Sequence, residues 1–208
     1  MDLKKHKILE SILLLLAILG VTLAIYLFAT DIVFGQVKYV LKADKDLIGL
    51  KAKIAKGFVG LREKTDRNDG YWIDRFNKSV GVSKGSPYCN AGQYFCWDSA
   101  GRLLGMKPPV VRSGLANSSF NQAFKKGQKK TYAAKKNDYL VWRYPFLYTG
   151  HVESITATGR AGWVKTVGFN TTAGAGNQRE GGGVYERKRN IYHFLGRMKI
   201  RGLVGFES

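Results

Sequence analysis

The hydrophobic pattern divides the chain into three stretches. From Ile12 to Ala29 the residues read ILLLLAILGVTLAIYLFA, with Ile8 and Leu9 ahead of an interruption at Glu10 and Ser11. No polar stripe divides this run, and its length approaches the roughly 20 residues with which a helix crosses a bilayer. A secretory signal would carry a shorter apolar segment, about 7–15 residues, and a small-x-small cleavage site. An uncleaved transmembrane anchor over residues 1–30 is therefore expected. Lys4, Lys5 and Lys7 on its N-terminal flank put that end in the cytoplasm and send the rest of the chain across the cytoplasmic membrane to its outer side.

Between residues 31 and 67, Val37, Val40, Leu41, Leu47, Ile48, Ile54 and Val59 fall at three-to-four spacing among lysines and aspartates. That period predicts an amphipathic helix broken near Gly49 and Gly57, acting as a juxtamembrane spacer. From Asn68 onwards, Gly-rich turns separate short β-branched and aromatic runs, the texture of an α+β domain over residues 68–208 with strands towards its C-terminal half. Within it, Gly92, Phe95, Cys96, Ser99 and Leu103 mark one stripe of a helix over residues 90–104. Residues 139–143, 150–155 and 163–167 read as strands.

Composition narrows the possibilities. A hydrophobic content of 45% with 24% charged residues excludes a wholly disordered chain. Thirty-four Lys plus Arg against 15 Asp plus Glu give a net charge of +19, a field that draws polyanions: nucleic acid, an anionic membrane or an acidic wall polymer. Zinc-finger spacing and RNA-binding aromatic signatures are missing, so no specific nucleic acid is expected. The local run of Lys125, Lys126, Lys129, Lys130, Lys135 and Lys136 reads as a solvated loop. Two cysteines are too few for a disulfide framework. Seven residues apart on one helix, Cys89 and Cys96 would be separated by roughly 10 Å, beyond the reach of a disulfide.

Cys89 falls on the first turn of the expected helix, where unpaired amide N–H groups and the positive end of the helix dipole favour an anion. Cys96, two turns deeper, reads as a packed small hydrophobe. Of the three histidines, His6 belongs to the basic flank and His193 to a late aromatic run. His151 opens the strand Gly150-His151-Val152-Glu153-Ser154-Ile155, and a strand can hold an imidazole rigidly beside a thiol so that it takes and returns the proton. A third polar group usually fixes the imidazole. Asn170 is the leading candidate, and Glu153, two residues from His151 on the same strand face, is its rival.

These pieces together resemble the CHAP family, the cysteine, histidine-dependent amidohydrolases and peptidases of the NlpC/P60-like, papain-related group. The likeness runs from Asn68-Asp69-Gly70 and Ile73-Asp74-Arg75-Phe76 through Pro87-Tyr88-Cys89-Asn90-Ala91-Gly92 and Asn137-Asp138-Tyr139-Leu140-Val141-Trp142. It continues in Gly150-His151-Val152, Gly168-Phe169-Asn170-Thr171 and Gly183-Val184-Tyr185. The resemblance implies an α+β, papain-like core, with an N-terminal catalytic helix packed on an antiparallel sheet and here preceded by one transmembrane helix. It assigns Cys89 as nucleophile, His151 as base and Asn170 as orienter, with backbone N–H groups at the helix start as oxyanion hole and neither metal nor cofactor. Two departures stand out. The acidic residue that often opens the Glu-Gly-Asn-Thr element is Gly168 here. Tyr88 and Asn90 replace the usual tryptophan and alanine beside the cysteine, which makes them, with Tyr148, the candidate substrate-binding residues.

The implied activity is cleavage of an amide in peptidoglycan, as an N-acetylmuramoyl-L-alanine amidase or a peptide-bridge endopeptidase. Peptidoglycan and, through the anchor, the membrane are the expected partners; the oligomeric state is left open. The alternatives are a wall-binding protein of little or no activity on the same fold, favoured by the missing acid, and an acyl transferase.

Overall fold

The computed structural model describes residues 3–29, 36–131, 134–172 and 181–208. It divides into two units, residues 1–34 and 35–208. The first holds α1 (Leu3–Ala29). The anchor expected over residues 1–30 is corrected here: among the described residues no helix is long and apolar enough to cross a membrane. α1 takes in Lys4, Lys5, Lys7 and Glu10 as well as the apolar run. Met1, Asp2 and residues 30–35, at the edges of the expected anchor and spacer, lie outside the described residues.

The second unit is an α+β fold. Its strands β1 (Val37–Lys42), β2 (Gln128–Thr131), β3 (Tyr139–Arg143), β4 (Gly150–Thr158), β5 (Trp163–Thr171), β6 (Gly183–Asn190) and β7 (Lys199–Glu207) form one sheet in the order β2-β1-β7-β3-β4-β5-β6. The expectation of an antiparallel sheet needs correction, because β1 and β7 run parallel and the sheet is mixed. The helices are α2 (Lys45–Gly57), α3 (Tyr71–Val80), α4 (Cys89–Leu104) and α5 (Ser118–Lys126). α4 packs on β4 and β5 and is flanked by α2 and α3, while α5 covers β1 and β7.

The described part of the spacer expected over residues 31–67, residues 36–67, belongs to this body. Val37, Val40 and Leu41 sit in β1, between β2 and β7. Four consecutive residues, Lys38 to Leu41, are buried, so the strand shows no alternation and its apolar positions mimic a helical spacing. Lys38 is tolerated there because its Nζ lies 2.7 Å from Asp138 Oδ2, with both groups buried. The helix that follows does form, with the Asp44 carboxylate accepting from the N–H groups of Asp46 and Leu47 at its start. Its Leu47, Ile48 and Ala55 pack into the core.

Three apolar clusters fill the unit. One joins α2, α4 and α5 to β1, β3 and β7 through Leu47, Trp97, Phe120, Tyr139 and Phe206. A second is an aromatic group around α3 and α4, in which Phe76 meets Phe58, Phe95 and Phe169 edge-on with centroids 5.0–5.3 Å apart. The third lies on Leu140, Trp142, Ile155 and Leu203. These clusters fix the start of α4 against the start of β4 and the end of β5.

The buried pair Lys38–Asp138 yields a test of this arrangement. Removing one partner strands a charge in the core, at a cost of about 3–5 kcal/mol. Asp138→Ala is expected to lower the urea midpoint accordingly, and the double replacement Lys38→Met with Asp138→Leu to recover most of the loss.

Candidate active site

The structure brings Cys89, His151 and Asn170 together on one cleft of about 560 Å³. Cys89 is the first residue of α4 and is buried, with Sγ 4.0 Å from the carbonyl oxygen of Gly150 at the start of β4. Both cysteines are free thiols, and Cys96 is buried, its thiol pushed up to about 12 by desolvation. His151 follows Gly150 and is 1% exposed. Its Nε2 lies 3.0 Å from Glu153 Oε1, and the ring lines the same cleft as Cys89. With Nε2 engaged by the carboxylate, Nδ1 is the nitrogen left for the thiol.

The carboxylate that fixes the imidazole is thus that of Glu153, not the amide of Asn170. Successive strand residues alternate faces, so His151 and Glu153 share one face of β4 while Val152 and Ser154 take the other. Glu153 is fully buried and its oxygens are shared out completely. Oε1 meets His151 and Arg189 Nη2 (2.5 Å), and Oε2 accepts from Arg189 Nε (2.9 Å) and Thr166 Oγ1 (2.5 Å). Burial raises the Glu153 pKa, but the bidentate Arg189 bond and the His151 bond outweigh it and hold the carboxyl well below the usual carboxylate range. For His151, burial lowers the basicity, whereas the neighbouring Cys89 sulfur and the hydrogen bond to Glu153 raise it, to about 9.

Gly168 accounts for the position of this acid. It pairs directly across from Glu153 in the β4–β5 ladder. A Cβ built on Gly168 would stand 2.7 Å from Glu153 Oε1 and 2.9 Å from Cδ. The space that a side chain at 168 would fill is occupied by a carboxylate delivered from the neighbouring strand.

Asn170 is buried and lines the cleft. It sits at a register shift between Phe169 and Thr171 and has φ 51°, a left-handed conformation that turns it out of the regular alternation of β5. Of the three residues expected to bind substrate, two are corrected. Tyr88 is fully buried, and its hydroxyl donates to Glu63 Oε1 at 3.1 Å. Asn90 is also buried, and its Nδ2 donates to the Ser113 carbonyl at 2.6 Å and Ser118 Oγ at 3.3 Å. Both therefore brace the cleft wall from behind. Tyr148 is 84% exposed in the turn between β3 and β4. Its carbonyl accepts from Asn117 Nδ2 at 3.0 Å, and Asn117 Oδ1 accepts in turn from Arg201 at 2.9 Å. Thr149 and Tyr144 of the same turn line the cleft.

No family model and no curated protein matches the chain. The chemistry must be read from the site itself.

Arg189, Thr166 and Asn117 were not singled out from sequence. Arg189 lies among Glu186, Arg187 and Lys188 on β6, where its neighbours give it the look of a solvated basic strand. A thiol at a helix start, an imidazole on the same cleft and a buried carboxylate behind the imidazole form an arrangement suited to acyl transfer.

The shifted imidazole gives a pH signature. The folded pKa of about 9 lies above the ordinary 6.5, so this contribution to stability is fully present below about pH 6.5 and is lost as pH rises through about 9. Glu153→Gln removes one raising partner. NMR titration of His151 should show its pKa falling, and the stability gap between parent and variant should be wider at pH 6.5 than at pH 9.5.

Proposed function

We propose that the chain is a cysteine hydrolase that cuts an amide bond in peptidoglycan, with Cys89 as nucleophile, His151 as base and Glu153 orienting the imidazole. The observation that carries this reading is the buried His151–Glu153 pair on the same cleft as the Cys89 thiol, a cleft large enough for a peptide segment. The resemblance of Pro87–Gly92, Gly150–Val152 and Gly168–Thr171 to CHAP elements supplies the substrate class, and a net charge of +19 suits a polyanionic wall. The basic excess belongs to the unit carrying the site, because three lysines and three acids cancel before Gly35. Such a substrate lies outside the cytoplasm.

In this mechanism the thiol proton has passed to His151 Nδ1, whose basicity its neighbours raise, before Cys89 Sγ attacks the amide carbonyl carbon. The oxyanion forms beside the backbone N–H groups at the start of α4, which have no intrahelical acceptor. Collapse breaks the C–N bond, and the imidazolium returns its proton to the departing amine. A water then attacks the thioester, giving up its proton to His151 and releasing the carboxylic acid and the free thiol. A base made stronger by Glu153 holds the proton through the interval in which the oxyanion exists. The reason for preferring a mere wall-binding protein, the glycine at 168, loses its force once Glu153 fills that place.

Incubating the full chain with sacculi of several wall chemistries should release fragments with new amino and carboxyl ends, identified by mass spectrometry. Cys89→Ala and His151→Ala should each reduce release by at least about 10³-fold, and Glu153→Gln by roughly 10²-fold or more. Fragments that persist undiminished in Cys89→Ala would sink the proposal.

A further inference from the structure

The cleft does not end at Cys89. Val82 lies on its wall and also on the wall of a second groove of about 500 Å³, lined by Tyr71, Asp74, Arg75, Lys78 and Lys84 at α3 and the turn after it. The passage between the two is cationic. Arg112 lines the cleft and is pinned across the end of α3, where its Nε donates to the Ser79 carbonyl at 2.6 Å.

Within the groove the one carboxylate is already engaged, since Asp74 Oδ2 lies 2.7 Å from Lys84 Nζ. Arg75 is held in place without an acid. Its Nη1 donates to the Tyr71 hydroxyl at 3.2 Å, and its guanidinium lies over the Tyr71 and Trp72 rings at 5.5 and 5.6 Å. Among the described residues, neither Arg75 nor Lys78 forms an ion pair. A guanidinium stacked on aromatic rings loses little freedom when it takes up a planar or tetrahedral oxyanion. Exposed cations are common on a chain this basic. What sets these apart is their concave setting, continuous with the cleft, and a fixed arginine with no counter-charge.

We propose that this groove is a subsite of the substrate cleft that takes an anionic group, carboxylate or phosphate, carried by the polymer or peptide whose amide lies at Cys89. The inference rests on reading Cys89 and His151 as the place of cleavage. It adds that Arg75 and Lys78 select for charge on one side of the scissile bond.

Binding to the full chain carrying Cys89→Ala tests this without turnover. The probes are a soluble muropeptide with free carboxylates, its fully amidated counterpart, and a short glycerol-phosphate oligomer. Adding Arg75→Ala with Lys78→Ala should weaken one of the two anionic probes roughly tenfold, about what two exposed charge contacts supply, and leave the amidated peptide unchanged. The probe that loses affinity identifies carboxylate or phosphate as the group recognised. Arg160→Ala with Lys188→Ala removes the same charge at exposed positions at or beside the far end of β4 and should leave every Kd unaltered. The proposal falls if neither anionic probe binds, if both bind the groove variant as tightly as the parent, or if the remote pair weakens them equally. Cleavage of sacculi with an unchanged Kd would overturn the subsite alone. Groove-dependent binding without any cleavage would overturn the hydrolase reading and leave the anion site standing.

Discussion

A single buried carboxylate organises the site. Glu153 has no exposed surface, and an ionised group in that position persists only if its oxygens are occupied by charge and hydrogen bonds. They are occupied by His151 on its own strand, Thr166 on β5 and Arg189 on β6. Three adjacent strands are thereby held in one register by side chains as well as by the ladder. Gly168 belongs to the same constraint, because a side chain opposite Glu153 would overlap its carboxylate. The imidazole is held on the sheet and lines the cleft.

The Cys89 thiol is brought to that sheet by a close contact elsewhere on α4. A Cβ on Gly92 would stand 2.1 Å from the Phe169 ring, so the helix rests directly on β5 one turn after Cys89. Phe169 immediately precedes Asn170, and the same contact sets both the helix height and the bulge that aims Asn170 at the cleft. Tyr88 and Asn90, on either side of the cysteine, tie the helix start to Glu63 and to the Ser113–Ser118 loop. Cys89 is held between two such ties, which limits the movement of its thiol relative to His151.

Much of this was legible in the sequence, and the remainder was hidden for identifiable reasons. The helix start at Cys89, the strand carrying His151 and the first part of β5 follow from local pattern, whereas β5 runs on past Val167 to carry Asn170. The stripe expected along α4 was only partly right: Leu103 is 72% exposed, while the first half of the helix is buried almost all round. β1 was mistaken for helix because its four buried residues show no period of two, and because its buried lysine is balanced by Asp138, a hundred residues away. That Glu153 shares the face of His151 follows from alternation along β4, but the room that Gly168 leaves for its carboxylate depends on the β4–β5 register. A register between strands is a long-range fact that no local spacing encodes. The apolar run near the N-terminus suggested a membrane anchor that the described residues do not provide.

The sheet order carries a consequence for how the domain comes into being. β7 lies between β1 and β3, parallel to the former and antiparallel to the latter. Every other strand leaves the ribosome before the one that joins β1 and β2 to the rest. Until then β1 and β3 each present an unpaired backbone edge, and the apolar faces meant for Phe206 and Val204 stay uncovered. The nascent chain therefore accumulates its helices and the β3–β6 meander first and acquires its continuous sheet late, through contacts spanning nearly the whole unit, the kind of topology that folds slowly and gives holdase chaperones time to act.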